Sequence, residues 1–197
     1  MPDIKSILST PGSSFKAPAR FPAGNYVVMI TSYDTLPFHW KKSGTNGLSY
    51  VPTIKPISCV EADDDDNPEL QKEQQELLEK FGDWTNKEFQ FAYTSRDTNE
   101  RCAGVSEINF PLIELDDSGE AVGILEKFVW RFYLRDGQEE QGFLHDVLGM
   151  SFPEGTELGD MLEATVGKKF MVSFIYEANP NDPTRPPNLT VESMTSV

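Results

Sequence analysis

The stretch "PFHWKKSGTNG", residues 37–47, sets two flat aromatic rings and two ammonium groups within five positions. Phe38 and Trp40 offer faces on which unpaired bases can stack, an interaction of roughly 1–3 kcal/mol per base. Lys41 and Lys42 can neutralise phosphates. The same residues would equally make a hairpin whose tryptophan folds back on a core and whose lysines sit in water. A second constellation is "KFVWRFYLR", residues 127–135. Read as a strand, its alternation puts Phe128, Trp130, Phe132 and Leu134 on a core face. Lys127, Val129, Arg131, Tyr133 and Arg135 then share the other face. A basic face carrying an aromatic ring is the mixture that single-strand binders use. Against it stands a solvated face whose arginines pair with acids elsewhere. The candidate nucleic-acid-binding residues are therefore Phe38, Trp40, Lys41, Lys42, Lys127, Arg131, Tyr133 and Arg135.

Other clusters carry less chemistry. The acidic run "ADDDDNPE" lacks the sixth-position glycine and twelfth-position glutamate of an EF-hand. It reads as a solvated loop, or as a lid competing with DNA for the basic face. His39 and His145 have no Cys/His cluster beside them, which argues against zinc. "EANPNDPTRPPN", residues 177–188, is a stiff segment with one cation, Arg185. Asn188-Leu189-Thr190 matches a glycosylation sequon. No GxSxG, P-loop, GxGxxG, HExxH or Cys/His pairing occurs. The expectation is a non-enzyme without cofactor or metal.

The elements that would position these residues follow from pattern. Residues 1–23 lack periodicity and read as an extended arm. Tyr26–Tyr33 is β-branched and aromatic, a strand. Gly44, Asn46 and Gly47 mark a turn. "SYVPTIKPISCVEA" is a second strand, edge or bulged because of Pro52 and Pro56. Asn67 and Pro68 open an amphipathic helix with Leu70, Leu77, Leu78 and Phe81 on one face, closed by Gly82. "KEFQFAYTSR" and "SEINFPLIEL" read as further strands or extended segments, "DDSGEA" is a turn, and 126–135 is a third strand. Two short helices follow in "EEQGFLHDVLGM" and "TELGDMLEATVG", the second stopped by Gly167. Phe170, Val172, Phe174 and Tyr176 alternate on a fourth strand, and Leu189, Val191 and Ser193 on a fifth. Five strands with helix between the third and fourth is the order of an OB-fold. The predicted fold is mainly β with a few short helices. It is an OB-fold-like five-stranded antiparallel barrel over residues 24–197, with a large acidic helix-plus-strand insert at 60–126 between strands two and three; another antiparallel barrel or a sandwich is the alternative.

The 197 residues are enough for one good-sized domain or two small ones. The net charge is -15, unevenly spread. Residues 1–59 hold six Lys/Arg against two Asp/Glu, and the remainder 11 against 30. Such acidity argues against nonspecific wrapping of nucleic acid, but not against a local basic groove in the first third. No apolar run approaches the roughly 20 residues of a membrane span, and residues 1–24 have no signal-peptide core. The expected location is the cytoplasm of the producing cell, with Cys59 and Cys102 as reduced structural thiols.

"FPAGNYVVMI", the basic-aromatic segment at 127–135, "FLHDVLGM", "LGDMLEATVGKKFMVSF" and "NPNDPTRPPNLTVESM" together resemble the single-stranded-DNA-binding-like proteins of tailed bacteriophages. The likeness covers about half of the chain, at its two ends. It implies an OB-fold that coats single-stranded DNA during phage replication or recombination in the bacterial cytoplasm, with phage or host replication proteins as further partners. Carried over, the matching positions are the arm around Trp40, Lys41 and Lys42 and the segment around Arg131 and Tyr133. The chain departs from many single-strand binders in ending on "VESMTSV" rather than an acidic tail. Two alternatives remain open on sequence. One is a virion structural or decoration protein, suggested by the arm and the stiff loop. The other is an acidic DNA mimic, suggested by the charge of residues 60–197. Homo-oligomerisation is equally open.

Overall fold

The computed structural model describes residues 21–40, 43–60, 76, 79, 82, 87–133, 142–178 and 187–197. The N-terminal arm up to residue 20, most of the predicted helix after Pro68, and Lys41, Lys42, Arg135 and Arg185 lie outside these residues. The described chain is mainly β. Strands β1 (Gly24–Trp40), β2 (Thr45–Cys59), β5 (Phe110–Leu115), β6 (Ala121–Ile124), β7 (Lys169–Glu177) and β8 (Asn188–Thr195) form one antiparallel sheet in the order β6-β5-β2-β1-β7-β8. Strands β3 (Ala92–Thr94) and β4 (Arg101–Ala103) form a separate hairpin. Between β6 and β7 lie helix α1 (Glu126–Phe132), a π-helical turn (Phe143–Val147) and helix α2 (Leu158–Glu163). Among the described residues no ladder joins β8 to β6, so the sheet is open.

The predicted third strand at 126–135 is corrected by α1. Its sequence satisfies two periods at once. Every second residue from Phe128 is apolar, but Leu125, Phe128, Val129, Phe132 and Tyr133 also follow the i, i+3, i+4 spacing of a helix. Packing decides. Phe132 is fully buried, with its ring 5.1 Å from Tyr50, 5.4 Å from Phe110 and 6.2 Å from Phe143. The place beside β2 is taken instead by β5, which pairs over Asn46–Tyr50.

β1 runs on well past Tyr33, and a bulge within it sets which way its later side chains face. One extra residue between Ile30 and Ser32 breaks the register with β2. Before it, Tyr26, Val28 and Ile30 face the main core. A bulge shifts the side-chain alternation by one. Beyond it Tyr33 lies against that core, while Leu36, Phe38 and Trp40 turn to a second cluster with Val51, Ala103 and Leu125. Pro52 and Pro56 are accommodated on β2 by the same reasoning. Ile54, of equal parity, exchanges both backbone hydrogen bonds with Phe89, at 2.9 and 3.0 Å, on the side away from β1. The missing proline N–H groups point that way too, so the β1 ladder loses nothing.

The C-terminal elements match the pattern. Gly167 has φ +85° after α2, and its N–H donates to Ile30 O at 2.7 Å. Ile30 N–H in turn donates to Lys168 O at 2.9 Å, which seats the start of β7 beside β1. Phe170, Val172 and Phe174 alternate inward. Phe21 adds its ring to this end of the core, 5.0 Å from Tyr26 and 4.7 Å from Phe89.

The core holds phenols that make stability pH-dependent. Burial pushes the Tyr26 hydroxyl well above its ordinary range. It does the same at Tyr50, where the hydrogen bond with Thr165 Oγ1 at 2.9 Å works in the opposite direction. Burial also raises the Cys59 thiol to about 11. These groups stay protonated in the fold after their unfolded counterparts have ionised. The stability they contribute is whole below their unfolded values, roughly 8.5 for the thiol and 10 for the phenols, and is lost as pH rises through the folded ones. Urea midpoints are therefore expected to fall from about pH 9 upward, and less steeply in Tyr50→Phe. A flat alkaline profile would contradict the burial of these groups.

Candidate functional site

The parity change in β1 delivers Phe38 and Trp40 to a cleft on the far side of the sheet from the main core. The hairpin that carries them is tight. Trp40 pairs with Thr45, and Gly44 N–H donates to Trp40 O at 2.9 Å with Gly44 at φ +69°. Lys41 and Lys42 lie between Trp40 and Ser43 in the chain. Phe38 is only 4% exposed. Its ring lies over Gly47, where a Cβ would come within 2.6 Å of it, and 4.7 Å from the Trp40 ring. Trp40 is half-buried and continues the ring contacts to Phe128 of α1, tilted at 4.8 Å.

α1 divides its side chains between two tasks. Val129, Phe132 and Tyr133 pack toward the main core, and the Tyr133 hydroxyl donates to Phe152 O at 3.3 Å. Phe128 and Arg131, three residues apart, border the cleft. Arg131 is half-exposed and pairs with Glu107. Lys127 belongs to the same helix. The structure therefore brings Phe38, Trp40 and Arg131 to one place, and directs Tyr133 elsewhere.

The opposite wall is the β3–β4 hairpin; β3 falls in a segment the sequence marked as strand or extended, and β4 lies beyond it. Tyr93 stands on it, 48% exposed. Partial burial and the neighbouring Cys102 thiol raise its phenol, so it remains a neutral hydroxyl. Asn109 ties the base of this hairpin together. Its Nδ2 donates to Phe91 O at 2.6 Å and Gly104 O at 2.7 Å. Gly104 has no room for a Cβ, which would sit 2.7 Å from Phe91 O. Arg101 anchors the outer side through Asp34 at 3.3 Å and through Gln90, whose Nε2 reaches Asp34 at 3.0 Å. The cleft between the walls has a volume of about 180 Å³. His39, Tyr93 and Asn109 line it as well, and sequence reasoning passed over all three in this role. The glycine at 104, with an asparagine five residues on, was the available signal for a constrained hairpin.

His39 and His145 serve local contacts. His39 Nδ1 lies 2.9 Å from Asn46 Oδ1, and His145 Nδ1 lies 3.0 Å from Asp146 Oδ1. That contact and a hydrogen bond from Gly142 N–H hold the Asp146 carboxyl below the usual carboxylate range. Both cysteines are free thiols. Among the described residues no helix is long and apolar enough to cross a membrane. Comparison with protein-family models, curated proteins and solved structures returned no match.

Proposed function

We propose that the chain is a non-sequence-specific single-stranded-DNA-binding protein of OB type, working in phage replication or recombination. The observation that carries the reading is the cleft where Trp40, Tyr93 and Arg131 converge beside the hairpin that holds Lys41 and Lys42. Aromatic faces beside a few cations are what a strand with unstacked bases and a charged backbone requires. Strand order supports the barrel class. The long first strand pairs with both the second and the penultimate one, β5 supplies a third strand beside β2, and the helices fall before the last two strands. On this reading the sheet corresponds to a five-strand OB order left open between β5 and β8, with β6 as an added edge.

The charge distribution limits the size of the electrostatic contribution. Lys41, Lys42 and Arg131 give about three phosphate contacts, hence a slope of log K against log salt of about -2 for single strands. Anisotropy of a labelled oligo-dT should then show binding that weakens about 15-fold between 50 and 200 mM salt, with a duplex of equal length binding far less. Arg131→Ala should lower the slope by about 0.7. Removing the exposed Arg131–Glu107 pair should change stability by no more than about 1 kcal/mol. Absence of binding at 50 mM, or equal binding of duplex, would overturn the reading. A virion subunit is the second reading. It draws on the edge strand β6, where Val122 and Ile124 are exposed, and a monodisperse monomer absent from purified particles would remove it.

A further inference from the structure

We infer that the cleft between the β1–β2 and β3–β4 hairpins is a pocket for one unpaired nucleobase, an inference that rests on the single-strand reading above. Its volume of about 180 Å³ is well below the roughly 300–1,000 Å³ of pockets for drug-sized ligands, and suits one planar ring system. Its walls are suited to a flat guest. Trp40 is held by two ring contacts, Phe38 at 4.7 Å and Phe128 at 4.8 Å. Tyr93 faces the cleft from the other hairpin, and Arg131 at the rim can meet a flanking phosphate by exchanging its Glu107 partner for it.

Asn109, which is 8% exposed, lines the cleft and fixes its shape. Both of its amide hydrogens are committed, one to Phe91 O and one to Gly104 O. Its Oδ1 is buried and has no hydrogen-bond partner among the described residues. In a duplex both faces of a base are covered by its stacked neighbours, so a guest lying in the cleft must be unstacked and unpaired. The pocket would then separate single strands from duplex without choosing among bases.

The test uses the whole chain and an oligo-dT bearing one 5-iodouracil, irradiated in the complex and mapped by peptide mass. The expected adduct is on Trp40 or Tyr93. At saturating protein, Tyr93→Ala should lower the adduct yield on Trp40 at least threefold, and removal of a half-exposed side chain leaves the core intact. An oligonucleotide that binds by anisotropy but cross-links only to other residues overturns the pocket and leaves the single-strand reading standing. An oligonucleotide that does not bind removes both.

Discussion

Phe132→Ala should lower stability by about 3–5 kcal/mol. The side chain is fully enclosed by rings from β2, β5 and the π-helical turn. Those rings stand on sheet strands or a short helical turn that cannot move inward together, so most of the vacated volume stays empty. Urea denaturation measures the loss directly. Phe128→Ala provides the contrast. In a strand, residues 128 and 132 would share a face and cost about the same. On α1, Phe128 borders the cleft and keeps only partial cover, so its loss should be less than half as large. Equal losses at the two positions would restore the alternating strand.

Gly47→Ala is expected to cost at least about 3 kcal/mol, the upper range for overpacking. A Cβ there would lie 2.0 Å from Ile113 O on β5 and 2.6 Å from the Phe38 ring. The carbonyl belongs to a backbone pinned by pairing with β2 over Asn46–Tyr50, and the ring is wedged against Trp40. Either β5 moves off or Phe38 leaves its place, and both dismantle the cleft. Gly44→Ala separates crowding from backbone strain. Gly44 has φ +69° but nothing within 4 Å of its Cβ position, so that variant should lose only about 1–2 kcal/mol. Thermal or urea unfolding of the pair decides the matter. A mild Gly47→Ala would mean that the hairpin and β5 are less closely joined than described.

Much of the frame can be read from local chemistry. Gly167 ends α2 because its backbone is left-handed there, and Phe170, Val172 and Phe174 show their alternation undisturbed. Asp116 closes the predicted "DDSGEA" turn by accepting from Ser118 N–H at 2.9 Å and Glu120 N–H at 2.9 Å. The segment at 126–135 resisted because its residues fit both periods, and only the prior occupation of β2 by β5 excludes a strand. The length of β1 resisted because Asp34, Thr35 and Pro37 look like a loop, whereas pairing with β2 carries them through as strand. The candidate site was half legible. Composition pointed to Phe38, Trp40 and Arg131, which do converge. It could not foresee that a single bulge would turn the hairpin's rings to the other face, or that a three-residue strand would bring Tyr93 opposite them.

The double pairing of β1 also imposes an order in time. Its distal half meets β2 a short way along the chain, so that hairpin can close within microseconds of being available. Its proximal half, Gly24–Met29, pairs with Phe174–Lys169, some 140–150 residues later. At roughly 5–20 residues per second, a ribosome takes about 10–30 s to supply that partner. Throughout that interval Tyr26, Val28 and Ile30 belong to a strand with one edge unfilled. The nascent chain therefore carries its most apolar stretch half-clothed until synthesis is almost over, and it is then that a chaperone, or a second nascent chain, would find it open.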